Sequence, residues 1–227
     1  MTLNTYASGG IAASSRNRVL RNTYALLAIS MLPTIIGAFI GVKLGFSFFA
    51  GSPMLGFMLF MAVAFGFFFA IEKFKNSSVG VLLLLGFTFF MGLMLSRSLQ
   101  YTLGFSNGAS LIALAAGGTG VIFFAMAGLA TVTKRDLSGM GKFLFVGMIV
   151  ALIAGVANIF LQLPALSIAM AVACLGIFSA YILYDVNRIV TGGETNYVTA
   201  TLAIYLDIYN VFVSLLQLLG IFGGDRD

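Results

Sequence analysis

The sequence predicts an all-α integral membrane protein with seven transmembrane helices. Two observations carry this. The 227-residue chain is 60% hydrophobic and only 8% charged, whereas a soluble domain carries about 25% charged residues to coat itself in water. Its apolar residues come in runs of about 20, the length that crosses a bilayer as a helix, and not in the dyad alternation of a membrane barrel. Seven such runs occur, with limits near 20–42, 53–71, 79–96, 109–132, 143–162, 165–186 and 199–222.

Residues 1–18 are polar, rich in Ser, Asn, Ala and Gly, and without periodicity. They read as a mobile cytoplasmic tail ahead of a single membrane domain over 19–227. The first run follows Arg16, Arg18 and Arg21. It is longer than a signal-peptide core and no small-residue cleavage pattern follows, so it reads as a retained span. Near its end Gly37, Gly41 and Gly45 recur every four residues, which makes a flat face for the close approach of another helix. The second run, from Pro53 to Ile71, has no charge before Glu72 and Lys73. Between the third and fourth runs, Gly104-Phe105-Ser106-Asn107-Gly108 matches the G-x-S-x-G elbow of serine hydrolases. That elbow needs a preceding strand and a His base; the chain has no His, so the stretch reads as a turn-rich loop.

The fourth run ends in a compact charged loop, Lys134, Arg135 and Asp136, read as a topology signal with some attraction to anionic lipid heads. Pro164 separates the fifth and sixth runs, because proline lacks the donor that a helix interior needs. Asn158, near the end of the fifth run and close to Gln162, can bond across helices or line a cavity. Asp207 interrupts the last run, which leaves six spans plus a re-entrant segment as the alternative architecture.

With the N-terminus in the cytoplasm, nine of the twelve basic residues fall inside: Arg16, Arg18, Arg21, Lys73, Lys75, Lys134, Arg135, Lys142 and Arg188. Lys43, Arg97 and Arg226 fall outside. The positive-inside rule therefore predicts N-in and C-out, which an odd number of spans satisfies. The net charge of +5 is this topology signal, not a nucleic-acid footprint.

Much chemistry is excluded. Without His there is no His general base, no Ser–His or Cys–His nucleophile pair and no His-ligated metal. The single cysteine, Cys174, lies in an apolar run and forms neither an intrachain disulfide nor a thiolate metal site. No nucleophile–base arrangement or cofactor loop stands out, and the reading is a protein without enzymatic activity or cofactor.

Two polar features stand out against this background. In the last run Asp207, Asn210, Ser214 and Gln217 are spaced 3, 4 and 3 residues apart, which places them on one helix face. Such a stripe faces protein or a water-filled cavity, not lipid. The second feature is a hairpin, Tyr181–Asn210, in which Asp185 and Asp207 lie at equal distance from a turn centred near Asn196. Equal distance means similar depth, so the two carboxylates can face each other. Asp185 also stands three residues before Arg188, so an ion pair along its own helix is the alternative. An Asp inside a membrane helix costs roughly 2.5–3.5 kcal/mol on the insertion scale and commonly marks function. Two carboxylates that meet in a low-dielectric site cannot both ionise freely and titrate in coupled steps. Sharing one proton, they latch two helices; without it they repel, and their oxygens suit a hard cation such as calcium in transit.

At this hairpin the sequence resembles the Bax inhibitor-1 family of membrane proteins. The likeness is carried by Tyr181–Asn187 (YILYDVN), Tyr205–Phe212 (YLDIYNVF) and Lys134–Ser138 (KRDLS), and extends from Val19 to the C-terminus. Within the family it is most similar to the bacterial YccA type, through Val19–Tyr24 (VLRNTY), Ala157–Leu166 (ANIFLQLPAL) and Gly192–Tyr197 (GGETNY). The resemblance implies an inner-membrane fold in which the last helix is central and the other six wrap it. It implies two activities. One is a pH-sensitive calcium leak governed by a di-aspartyl pair, which maps onto Asp185 and Asp207. The other is modulation of the membrane-bound AAA protease FtsH, with the N-terminal tail as handle. Calcium-leak relatives carry a basic latch on the second span; this chain has none there, and Arg188 is the candidate substitute.

Overall fold

The structure, a computed structural model, describes residues 3–46, 53–133 and 135–225, with backbone alone for residues 3–14 and 53. Lys134 and Arg226, both part of the charge bias above, lie outside the described residues.

Among the described residues the chain forms seven helices and no strand: α1 (Leu3–Lys43), α2 (Pro53–Phe74), α3 (Ser78–Leu103), α4 (Gly108–Val132), α5 (Ser138–Leu161), α6 (Pro164–Thr191) and α7 (Tyr197–Gly223). Each is long and apolar enough to cross a membrane. The last run is one continuous helix through Asp207, so the re-entrant alternative is not what forms. The α1 backbone is helical from Leu3, well before the apolar run, so helix continues back through the segment read as a tail.

Local chemistry explains the helix ends. Pro164 occupies the first turn of α6, where its missing N–H costs nothing. Asn158 fastens this corner: its amide donates to Ser167 Oγ at 2.6 Å and its Oδ1 accepts from the Leu163 N–H at 2.9 Å. Of its two predicted roles, it takes the packing one. The α6–α7 turn is a glycine cap. Gly192 adopts φ 86°, and the Arg188 carbonyl accepts from the Gly193 and Glu194 N–H groups. Asn196 then caps α7, with Oδ1 accepting from Val198 and Thr199 N–H. Its amide also reaches the Lys75 carbonyl and Asn76 Oδ1 in the α2–α3 turn. The α2–α3, α4–α5 and α6–α7 turns thus gather at one end of the bundle, called here the N-terminal end.

α1 packs along α3, and α7 packs against α1, α2, α3, α4 and α6; α5 leans on α6 and carries no buried residue. Gly37 and Gly41 act as their spacing predicts. A Cβ on Gly37 would overlap the Phe89 carbonyl, and one on Gly41 would overlap Ser96, so α1 and α3 cross nearly backbone to backbone. Gly45 does something else: at φ 61°, with open space around it, it terminates α1.

Lipid tails are as apolar as the core, so packing and interhelical hydrogen bonds hold such a bundle together. The fully buried side chains Ile71, Leu84, Phe87, Ile182, Val186 and Ile204 cluster toward the N-terminal end, around the α6–α7 hairpin. Hydroxyls bind α7 to its neighbours. Tyr205 and Thr34 share a hydrogen bond of 2.9 Å and both reach the Thr88 carbonyl. Tyr209 donates to the Met91 carbonyl and Thr201 to that of Thr23. Outward-facing side chains such as Phe69, Phe124 and Phe143 are almost bare, as a lipid-facing surface is.

Candidate functional site: the aspartate pair of the α6–α7 hairpin

Asp185 and Asp207 meet. Their carboxyl groups lie within hydrogen-bonding reach across the α6–α7 interface, as equal distance from the turn predicts. Asp207 is 4% exposed, and its Oδ2 has no hydrogen-bond partner among the described residues. No Lys or Arg among the described residues pairs with it. A buried ionised carboxylate without a partner costs several kcal/mol, so the geometry leaves Asp207 dependent on Asp185.

Asp185 has a second neighbour. Arg188 Nη1 stands 3.5 Å from its Oδ1, and Arg188 Nη2 stands 3.8 Å from Glu194 Oε2 in the turn. The cross-hairpin pair and the same-helix ion pair, which the sequence offers as alternatives, therefore coexist. The guanidinium also lies over the Tyr184 ring, 5.7 Å from its centre. A row runs Asp207, Asp185, Arg188, Glu194, from the protein interior toward the N-terminal end. Arg188 is 38% exposed, so its ion pairs are worth at most about 1 kcal/mol each. Tyr181, one turn before Asp185, lies in the field of both carboxylates and packs edge-on against Tyr184.

The stripe on α7 is less uniform than its spacing. Asp207 and Ser214 are buried. Asn210 turns back to the Leu206 carbonyl at 2.8 Å, and the exposed Gln217 reaches the Ser167 carbonyl at 3.4 Å. A large cavity of ≈ 1020 Å³ does touch α7, but at Tyr205, Ile208, Tyr209 and Phe212. That is the opposite helix face, so this cavity does not follow the stripe.

As a metal site the pair is sparse. Among the described residues no three of His, Cys, Asp and Glu cluster, and calcium takes 6–8 oxygens. Two carboxylates suit a cation in transit that keeps its water, not a resident ion.

Sequence reasoning passed over Asn187. It is 1% exposed and serves as a clasp. Its amide donates to the Thr133 and Arg135 carbonyls, and its Oδ1 accepts from the Leu137 N–H at 3.2 Å. The α4–α5 loop is thereby fixed two residues from Asp185. The only signal was an amide at the end of an apolar helix. The G-x-S-x-G stretch is also a clasp: Asn107 donates to the Gly223 carbonyl and Ser106 to the Asp225 carbonyl, tying the α3–α4 loop to the end of α7. Cys174 is half-buried and free.

Comparison with known proteins places this geometry in a lineage. The sequence model described as "Inhibitor of apoptosis-promoting Bax1" matches residues 16–224. A "Modulator of FtsH protease YccA" from Escherichia coli K12 is 39% identical over 206 residues, covering 91% of each chain. An "Inner membrane protein YccA" from Escherichia coli O6:H1 matches to the same extent. An uncharacterized protein of Neisseria meningitidis serogroup A is 38% identical over 207 residues, 90% of this chain and 91% of its own.

Proposed function

Because this chain belongs to the Bax inhibitor-1 family, we propose that it is a non-enzymatic, multi-pass protein of the bacterial inner membrane whose Asp185–Asp207 pair gates a pH-sensitive cation leak. The observation that carries this reading is the buried Asp207, which meets the Asp185 carboxyl and pairs with no Lys or Arg among the described residues. With one proton shared, the pair draws α6 and α7 together. With none, two anions face each other in a low-dielectric site and push the helices apart. The oxygens so released suit a hard cation such as calcium as the transported ion. Arg188 serves as the latch, steadying Asp185 from its own helix in place of a basic residue on α2. Asn210, Ser214 and Gln217 continue the polar face beyond the pair. In this reading α7 is the central helix wrapped by the other six, the N-terminus is cytoplasmic and the C-terminus outside, as the basic residues favour.

The test is calcium flux into liposomes containing the protein, measured across a pH series. Flux that rises with pH in the wild type and loses that dependence in Asp207→Asn supports the gate. A pH profile unchanged by Asp207→Asn rejects it.

A second reading has its own support, the relative named a modulator of FtsH protease. Here the chain engages that membrane-bound AAA protease, and the segment ahead of the apolar run, residues 1–18, is the handle for slow, incomplete degradation. Co-purification with the protease and turnover of a reporter substrate test it. Deleting residues 2–15 should stop degradation of this protein; unchanged turnover rejects the tail as handle.

A further inference from the structure

α1 and α4 both flank α7 but do not pack along each other. They meet at Tyr24 and Phe123, whose rings touch edge to face at 6.0 Å. Elsewhere they leave the ≈ 1020 Å³ cavity, walled on α1 by Ile35 and Phe39, on α4 by Ala116 and Gly120, and on α7 by Ile208 and Phe212. On α1 its lining runs from Tyr24 to Val42, about 27 Å at 1.5 Å per residue, nearly the thickness of a hydrocarbon core. The wall is almost wholly apolar, and the Thr34, Tyr205 and Tyr209 hydroxyls on it are bonded within the bundle. The Thr119 and Thr131 hydroxyls donate to their own helix, to the Ala115 and Gly128 carbonyls.

At the N-terminal end the character changes. A second cavity of ≈ 260 Å³ is lined by Arg16, Asn17, Leu20, Thr131 and Val190. It shares Thr131 with the first and follows it one turn earlier on α1. Arg16 lies where a Cβ on Gly192, at the end of α6, would come 3.6 Å from its Cδ. Among the described residues Arg16 makes no ion pair. Arg16 is exposed, as are Arg18 and Arg21 close by on α1.

We propose that the α1–α4 cleft binds an anionic glycerophospholipid, with acyl chains on the apolar wall and the phosphate on Arg16. The order of features along α1, basic and polar first and purely apolar after, is the order of parts in a lipid of that leaflet. A docked transmembrane helix would fill the apolar part alone; a phosphate at the basic end adds a charge-assisted hydrogen bond to Arg16, whose exposed head otherwise meets only solvent. Gly120 and Gly128 face open space, so their lack of a side chain leaves room in the cleft.

The test uses the full-length protein in nanodiscs of equal parts phosphatidylglycerol and phosphatidylethanolamine. The protein is released into mild detergent, and native mass spectrometry counts retained lipid. Retention of phosphatidylglycerol over phosphatidylethanolamine by about five-fold is expected, the worth of one arginine at an anionic surface. Arg16→Ala should abolish that preference while lipid is still retained. Gly120→Phe, which places a ring in the cleft, should remove the retained lipid; Gly128→Leu makes the same demand if the first variant does not fold. No retained lipid, no headgroup preference, or full retention in a folded cleft-filling variant overturns the site. So does a photo-crosslinker at Ala116 that captures a protein helix and no lipid.

Discussion

Asp185 lies between Arg188, 3.5 Å away on its own helix, and Asp207 across the hairpin. One carboxylate thus answers a half-exposed cation and a buried acid together. What happens to Asp207 depends on the protonation of Asp185, and the charge of Arg188 bears on both.

This arrangement sets the sign of the pH dependence. If the pair shares one proton, the native state binds a proton that the unfolded state releases on the alkaline side. Stability then falls as pH rises, by up to about 1.4 kcal/mol per pH unit. Asp207→Asn keeps the shape and an amide donor for Asp185 but cannot titrate. Its thermal midpoint in detergent should be flat with pH where that of the wild type declines. Parallel profiles would exclude a shared proton.

Arg188→Gln removes the cation beside Asp185 and leaves the hairpin backbone intact. The direct stability loss should stay within about 1 kcal/mol, because the guanidinium is partly solvated. The larger effect is on titration. Without the cation a protonated pair persists to higher pH, so the pH transition in flux and in thermal midpoint should move to the alkaline side. Arg188→Lys should restore most of it. An unmoved transition would mean that Arg188 plays no latch role.

Asn187→Leu fills a similar space but leaves the Leu137 N–H and the Thr133 and Arg135 carbonyls without their partner. The cost should be about 1–3 kcal/mol. The α4–α5 loop should become a site of rapid tryptic cleavage after Arg135. Resistance equal to the wild type would show the loop is held by other contacts.

Gly92→Leu tests the α1–α3 crossing. A Cβ there would overlap the carbonyl of Thr34, whose hydroxyl belongs to the Tyr205–Thr34–Thr88 hydrogen-bond group. Overpacking of this kind costs about 1–3 kcal/mol, and the thermal midpoint should drop. Gly66→Leu, at a position with open space around it, is the control and should leave it nearly unchanged.

The sequence by itself determined the class and the seven spans, and offered the meeting of Asp185 with Asp207 as one of two alternatives. Those follow from one-dimensional quantities: run length against bilayer thickness, and distance from a turn in an antiparallel hairpin. It also located the close approach at Gly37 and Gly41, since helical period puts both on one face. Tertiary structure alone decided what depends on partners far away in the chain. Asn187 looks like any amide near a helix end until a loop about 50 residues earlier folds onto it. Gly45 fits the four-residue spacing yet ends its helix at φ 61°, with open space where a neighbouring helix would stand. Asp185 meets both of its alternative partners, because Arg188 stands one turn along its own helix while Asp207 stands across the hairpin. The α1–α4 cleft is a gap between two helices that each pack well elsewhere; no periodicity along either one records it.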